Sequence, residues 1–223
     1  MRKFDTPAPV SVVLDIPAGR IRFVAAHRTD TTVEILPADA SKTRDVRTAE
    51  QAEVAYGDGV LRITAQAARN RVLGASGSVE VTVHLPAGSH IEAKAASAEL
   101  RGVGRLGDVV LEGQQAAVEL DETGSTRLSV LAGDVSVGRL GGSAEISIQQ
   151  GDIRIAEAVR GTVTLRTEHG GISVGAAHGV SASLDAGTAH GRIHNTLKNT
   201  DGAAAGLNIH ATTAYGDITA RSL

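Results

Sequence analysis

Histidine and tyrosine side chains recur at one position of a glycine-containing repeat near the C-terminus. His169 and His190 each stand directly before a repeat glycine, Tyr215 takes the same position before Gly216, and His194 lies close by. Imidazole nitrogens bind zinc and nickel, so such a column can hold a metal. However, no carboxylate or third histidine is fixed by short spacing, and repeated turns produce such columns without any metal. We therefore expect turn residues here and assign no metal ligand.

Carboxylates form a second column, directly after the repeat glycine. Asp134 and Asp152 stand one repeat apart and would therefore stack on neighbouring coils. Two carboxylates separated by roughly 5 to 9.5 Å form the catalytic pair of glycoside hydrolases. An aspartate after glycine is also favoured in turns because its side chain hydrogen-bonds nearby backbone. The same column holds Glu99, Ala117, Gly171, Arg192 and Asp217. We therefore expect a solvated turn and no enzyme, and assign no catalytic residue, no cofactor-binding residue and no cofactor.

Composition argues against nucleic-acid binding. Lys and Arg number 22 against 25 Asp and Glu, and a net charge of −3 does not attract the phosphate backbone. The basic stretch Arg69-Asn70-Arg71 is too short for a nucleic-acid patch. Phe4, Phe23, Tyr56 and Tyr215 are the only aromatic residues, so few rings remain to stack on bases or sugars.

The elements that must position these columns repeat along the chain. Glycine, a small or charged residue and a β-branched residue recur in that order, as in Gly133-Asp134-Val135 and Gly151-Asp152-Ile153. A second apolar series with the same spacing of about 18 residues is interleaved with the first. The first series is led by Leu100, Val118, Val135, Ile153, Ile172, Ile193 and Ile218. The second is led by Ile91, Val109, Leu128, Ile146, Val163, Ala182 and Ile209.

Two interleaved series predict two short strands in each repeat, separated by glycine-containing turns. One repeat cannot bury its own apolar face, whereas repeats stacked about 4.8 Å apart form continuous apolar ladders. A left-handed hexapeptide helix is excluded because Gly141 and Ser147 follow Val135 at six and twelve residues. A calcium-binding roll lacks its Gly-Gly-x-Gly-x-Asp turns. We therefore predict an all-β fold, a single-stranded β-solenoid with about 18 residues per coil, right-handed as parallel crossovers nearly always are.

The first ninety residues are less regular. All five prolines precede residue 87, whereas 20 of the 26 glycines follow residue 90. Strands are predicted over residues 10–16, 20–25, 31–36 and 78–85, with a hairpin over residues 54–65. Residues 41–52 form a short helix or an ordered loop. We predict that residues 1–90 are divergent coils and a cap, and that residues 91–223 are regular repeats of the same continuous domain.

The C-terminal strand sets our expectation for self-association. Residues 215–220 match the interior repeats, and only Arg221, Ser222 and Leu223 follow. An uncovered solenoid end leaves backbone donors and acceptors unpaired, so we predict a homodimer joined through the C-terminal coil. The loop of residues 196–206 is the one clear insertion. We expect no membrane span, no export signal and, with no cysteine, a cytoplasmic location.

Several motifs of the chain together resemble a known bacterial family. The motifs are Phe4-Asp5-Thr6-Pro7, Ala49-Glu50-Gln51, Leu85-Pro86-Ala87-Gly88-Ser89, Gly191-Arg192-Ile193-His194-Asn195 and Tyr215-Gly216-Asp217-Ile218, beside the recurring Gly-Asp-Val or Gly-Asp-Ile. With these motifs the chain is similar to the β-strand-repeat family called domain of unknown function 4097, or "putative adhesin", in its actinobacterial form. This resemblance covers nearly the whole chain and implies a β-solenoid in a bacterial, often envelope-stress-associated context, without established catalytic residues.

Two functional hypotheses of different class follow. The first is a non-enzymatic structural or scaffold module that presents flat β faces to a protein partner or to copies of itself, in the manner of the bactofilin filaments that the coils also resemble. The second is an envelope-associated adhesin or carbohydrate-binding β-helix. An export signal or an aromatic-lined groove would favour the second.

Overall fold

The computed structural model describes residues 1–65 and 77–223, and its secondary structure is dominated by strands. Strands account for 68% of the described residues and helices for 5%, which confirms the all-β prediction. One α-helix, α1, spans Thr43–Glu50, and a 3-10 turn spans Gly202–Ala204. The strands are β1 Arg2–Asp5, β2 Ser11–Ala26, β3 Asp30–Pro37, β4 Glu53–Gly57, β5 Val60–Thr64, β6 Val79–Pro86, β7 His90–Arg105, β8 Val109–Thr123, β9 Thr126–Ala132, β10 Val135–Leu140, β11 Ala144–Gln150, β12 Ile153–Ala158, β13 Gly161–His169, β14 Ile172–Ala176, β15 Ala182–His190, β16 Ile193–Thr196, β17 Leu207–Tyr215 and β18 Ile218–Ser222.

The chain divides into two compact units, Met1–Ala116 and Ala117–Leu223. In the first unit the long strand β2 lies at the centre. It pairs in parallel with β7 on one side and with β5 and β6 on the other. β3 runs antiparallel to both β6 and β1, and β4 runs antiparallel to β5.

Local sequence explains the turns and the helix of this first unit. Asp58 and Gly59 both have positive φ, 52° and 76°, which fits the two-residue hairpin turn between β4 and β5. Of the two alternatives left open for residues 41–52, the short helix forms, as α1, and its buried Asp45 accepts a hydrogen bond from the Ser78 backbone N–H at 3.0 Å. The basic residues 69–71 lie outside the described residues.

The second unit consists of two parallel ladders. One contains, in spatial order, β8, β10, β12, β14, β18 and β16, and the other contains β9, β11, β13, β17 and β15. In the first ladder Val135 is in register with Val118 on one side and with Ile153 on the other. The repeat spacing therefore sets this register, as the sequence predicts.

The order of the last strands differs from their order in the chain. β17 lies between β13 and β15, and β18 lies between β14 and β16. The last chain segment is thus inserted into the ladders, and the preceding segment, β15 with β16, is displaced outward. The prediction that residues 215–220 form an open edge is wrong, because β18 is hydrogen-bonded to strands on both sides. A homodimer through the C-terminal coil loses its structural basis.

The predicted apolar series form the core. Thirteen of their fourteen leading residues are at most 3% exposed, from Ile91 at 2% to Ile218 at 1%. Ile193 is the exception at 45%, because it lies in the displaced segment. In the second series Val163 pairs with Ala144 instead of the predicted Ile146. Ala182 likewise pairs with Leu207 instead of the predicted Ile209. Both positions are two residues from the predicted register, a shift that keeps the same face of the strand inward.

The repeat glycine is required where the chain turns between ladders. Gly216 has φ of 152°, and a Cβ there would lie 2.0 Å from the carbonyl oxygen of Gly170 on the neighbouring strand pair. Any side chain would therefore clash with backbone, so the turn can stack closely only with glycine. The Gly-Asp-Val repeat follows from this close approach.

Candidate interaction surface

The strand pair β15–β16 ends both ladders of the second unit. Along these strands the inward-facing apolar positions that are not fully buried are Leu184, Ala186 and Ile193, whereas Ala182 at the start of β15 is 1% exposed. Leu184 and Ala186 are half-buried and Ile193 is 45% exposed, whereas Ile209 and Ile218 in the adjacent strands are each 1% exposed. An apolar stripe that is covered elsewhere in the unit is therefore open to solvent at this end.

The backbone of β15 also has one open side. The Ser181 carbonyl faces β17, because it accepts a hydrogen bond from the Leu207 N–H at 3.3 Å. The Ala182 N–H points away from β17 and donates to the Lys198 carbonyl at 3.1 Å. Because backbone groups alternate along a strand, the N–H and C=O groups of Leu184 and Ala186 also face away from β17. Among the described residues no strand pairs with that side of β15. We call this side, with Leu184, Ala186 and Ile193, the β15 edge.

Charge is distributed unevenly along the β15 edge. Asp185 lies in the first half of β15, where its carboxylate is 3.3 Å from Nδ1 of His210. His190, Arg192 and His194 follow at and beyond the other end of the strand. The first half therefore carries an acidic group and the second half carries groups that are cationic or become so on protonation.

The side chains of the histidine column form a stack of rings. Tyr215 lies between His169 and His190, with ring centroids 5.0 and 4.7 Å away and interplanar angles of 11° and 12°. This order follows from the insertion of β17, which places a tyrosine between the two imidazoles. His194 lies on β16, in register with Thr219. Within residues 1–65 and 77–223, no three His, Asp or Glu side chains are grouped so that they could hold a metal ion.

The aspartate column connects neighbouring turns. The Asp134 carboxylate accepts from the Asp152 N–H at 2.8 Å, and the Asp152 carboxylate accepts from the Gly171 N–H at 2.7 Å. Asp217 likewise accepts from the Arg192 N–H at 2.8 Å. The carboxylates thus satisfy backbone donors of the adjacent turn, which is the turn role expected from the sequence, although the bonds cross between turns instead of closing within one.

The β15 edge was missed by sequence reasoning, although the sequence carries a signal for it. Steps in the first apolar series lengthen to 21 and 25 residues at Ile193 and Ile218, and residues 196–206 are inserted between them. The chain first forms the outer pair β15–β16 and then returns to place β17 and β18 between that pair and the preceding strands, so it needs these longer connections. Spacing alone does not distinguish such an insertion from a lengthened turn.

In the described part of the chain, none of the helices has the length and apolar character needed to span a lipid bilayer.

Comparison with known proteins gives one family and several solved structures. A family model described as "Toastrack DUF4097" matches residues 11–222. A Bacteroides fragilis structure titled "putative adhesin" is 14% identical, covers 98% of this chain and 95% of its own, and has a TM-score of 0.58. A Parabacteroides distasonis structure, also titled "putative adhesin", is 16% identical with coverage of 100% and 95% and a TM-score of 0.43. A Clostridium sporogenes structure titled "putative cell adhesion protein" is 10% identical, with coverage of 100% and 98% and a TM-score of 0.40.

Proposed function

Because the chain belongs to the Toastrack DUF4097 family, we propose that it is a non-enzymatic β-solenoid scaffold that joins a second copy of itself through the β15 edge. The parallel ladders support a single-stranded solenoid with about 18 residues per coil, and the general handedness of parallel crossovers makes it right-handed. The observation that carries the functional proposal is the open β15 edge.

Apolar burial provides the first reason for a partner at this edge. The inward-facing apolar side chains of the two predicted series are buried except at this end of the ladders. There Ile193 is exposed, and Leu184 and Ala186 are half-buried. Natural sheets normally cover or charge such an edge, because unpaired backbone groups recruit further strands. An added strand would pair with the N–H and C=O groups of Leu184 and Ala186 and cover the apolar end.

Charge complementarity favours a second copy of this chain as that strand. In an antiparallel pair of β15 strands, the first half of each strand lies beside the second half of the other. In the register that places Ala186 opposite Thr188 of the partner, Asp185 of each copy lies opposite Ala189 and next to His190 of the other. Opposite charges across a strand pair stabilise it, and like charges destabilise it.

The test is the mass of the particle in solution, measured by light scattering across a range of micromolar concentrations. Wild-type protein is expected at twice the chain mass, and Ile193→Lys at the mass of a single chain, because a charge at the apolar end must be desolvated when the edges meet. Ala186→Pro is a second disrupting variant, since proline removes a donor that faces the open side of an edge strand.

Leu131→Lys is the matched control. Leu131 is 47% exposed against 45% for Ile193, and it lies on β9 of the same unit, away from the β15 edge. This variant should remain dimeric. Monomeric wild-type protein, or an equal effect of Ile193→Lys and Leu131→Lys, would refute the proposed interface.

A carbohydrate-binding adhesin is the second candidate. One observation favours it: Tyr215 is 52% exposed within the stack of three rings, and aromatic rings are common contacts for sugars. The Bacteroides fragilis structure is titled "putative adhesin", which agrees with the adhesin part of this candidate. Tyr215→Ser should abolish retention on immobilised glycans if this candidate holds, and should leave the dimer mass unchanged.

A further inference from the structure

A groove of about 550 Å³ lies in the unit Met1–Ala116, on the side where three turns meet. The segment between β1 and β2, the β2–β3 turn and the β6–β7 turn contribute its walls. Its volume is within the range of small-molecule sites. Among the described residues, the lining contains three prolines and three basic side chains but no Asp or Glu, and these six residues are Pro7, Pro9, Pro86, His27, Arg28 and Arg105.

Hydrogen bonds hold the three turns together. The Ala87 N–H donates to the Ala26 carbonyl at 2.9 Å. The Gly88 N–H donates to the Arg105 carbonyl at 2.8 Å, which ties the β6–β7 turn to the end of β7. On the opposite wall, the Thr6 N–H donates to the Thr29 carbonyl at 2.9 Å. The groove therefore exists without a ligand and needs little ordering to bind one.

The basic side chains of the groove differ in how they are neutralised. Nε of Arg28 lies 2.9 Å from the Asp30 carboxylate, which also contacts Nζ of Lys3 at 3.2 Å. Within the described ranges 1–65 and 77–223, His27 and Arg105 have no ion-pair partner, and both are exposed. Positive charge at the rim is therefore in excess, above walls that contain proline rings.

We propose that this groove binds a small carboxylate whose body is a ring. The guanidinium of Arg105 presents paired N–H donors that match the two oxygens of a carboxylate, and an N–H of the His27 imidazole adds a further donor. The rings of Pro7, Pro9 and Pro86 give an apolar surface on which a ring-shaped body can lie. This site belongs to the first unit and does not depend on the β15 edge.

Binding is measured by NMR titration of the full chain with benzoate and, separately, with glucuronate. Saturable shifts are expected at the backbone amides of His27, Thr29, Ala87 and Gly88. Benzoate represents aromatic acids and glucuronate represents sugar acids. The acid that binds more tightly identifies which of these two classes the groove accepts. Inorganic phosphate, which has no body, and benzamide, which has no charge, should each bind at least tenfold more weakly than the better acid.

The variant Arg105→Gln should weaken the better acid by about tenfold to a hundredfold, the usual range for a lost hydrogen bond to a charged group. Arg62→Gln is the matched control, because Arg62 is an exposed arginine of the same unit on β5, outside the groove. Absence of saturable shifts with both acids would overturn the proposal. Equal affinities for benzamide and benzoate would also overturn the proposal. Equal losses of affinity in the Arg105 and Arg62 variants would do so as well.

Discussion

At the scale of single residues, Asp30 organises the charge beside the groove of the first unit. A hydrogen bond from Arg28, and a second from Lys3, lower the pKa of the Asp30 carboxyl from 3.8 to about 2. The carboxylate therefore contributes stability at pH values above its unfolded pKa of 3.8. This contribution is lost as the pH falls from about 4 to about 2, because the folded state binds the proton more weakly.

We predict that NMR titration of the Asp30 carboxyl carbon gives a midpoint near 2 in the wild-type protein. In Arg28→Gln the midpoint should rise toward the ordinary value of an aspartate, since the largest cause of the shift is removed. Arg62→Gln, remote from Asp30, should leave the midpoint where it was. A wild-type midpoint near 4 would show that the Arg28 contact does not persist in solution.

Alternation of burial within one strand gives the second residue-scale prediction. Ile153 is 1% exposed and points into the core, whereas its neighbour Arg154 is exposed, in register with Ser136 and Ser173. Ile153→Asp buries a charge without a partner and should cost more than about 4 kcal/mol, enough to unfold a marginal domain. Arg154→Asp should change stability by about 0.5 kcal/mol or less.

Both costs are read from denaturant midpoints, and the two variants serve as controls for each other. Equal destabilisation would mean that the assigned inward face of β12 is wrong by one residue.

At the scale of elements, the position of β17 and β18 reverses the expectation from chain order. Consecutive stacking would place Ile193 inside and Ile218 at the end, yet Ile218 is 1% and Ile193 45% exposed. We predict that Ile218→Asp destabilises the protein by several kcal/mol and that Ile193→Asp costs about 1 kcal/mol or less. Thermal unfolding of the two variants compares the positions directly, and the opposite ranking would restore consecutive stacking.

Cross-linking checks the same order without a core mutation. The chain has no native cysteine, and Arg166, Thr212 and Gly187 are exposed and in register across β13, β17 and β15. A cysteine at position 212 should react through a short bifunctional reagent with one at 166 or at 187. Cysteines at 166 and 187 should not be joined, because β17 separates them.

The sequence predicts the ladders well because their physical signal is local. Val118, Val135, Ile153 and Ile172 are in register because each follows a turn of nearly constant length, and alternation fixes the inward face. The order of the last strand pairs leaves no such signal. Ile193 and Ile218 match the repeat equally well, and Ile172 pairs with Ile218 only through the tertiary arrangement.

The groove could not be predicted for the same reason, and the lengthened steps at Ile193 and Ile218 indicate an irregularity without revealing the β15 edge itself. The residues that line the groove come from four separate chain segments, around positions 8, 27, 86 and 105, and no spacing rule relates these segments. The aspartate column was predictable as a turn feature because Gly-Asp recurs in the sequence. The hydrogen bonds that its carboxylates form with neighbouring turns could not be predicted, because they depend on the register of the strands.

At the scale of the whole molecule, inserted strands constrain the order of folding. β17 and β18 pair with β13 and β14, and among the described residues β15 and β16 pair only with β17 and β18, so we expect β17 and β18 to enter after the inner strands and β15 and β16 to dock last. Closing a long loop costs entropy before the pairing that it permits is gained, which also favours late entry of a segment paired this far along the chain. The inner strands β10 and β12 pair with close neighbours in sequence and should form earlier.

This order predicts how conservative core substitutions divide between the folding and unfolding rates. Ile218→Val and Ile153→Val should each cost about 0.5 to 1.5 kcal/mol, and values above about 0.6 kcal/mol are large enough for φ analysis. Ile218→Val should mainly accelerate unfolding, with φ near 0, whereas Ile153→Val should mainly slow folding, with φ above about 0.5. Stopped-flow chevrons measure both rates. A φ near 1 for Ile218→Val would mean that the inserted strands nucleate the fold.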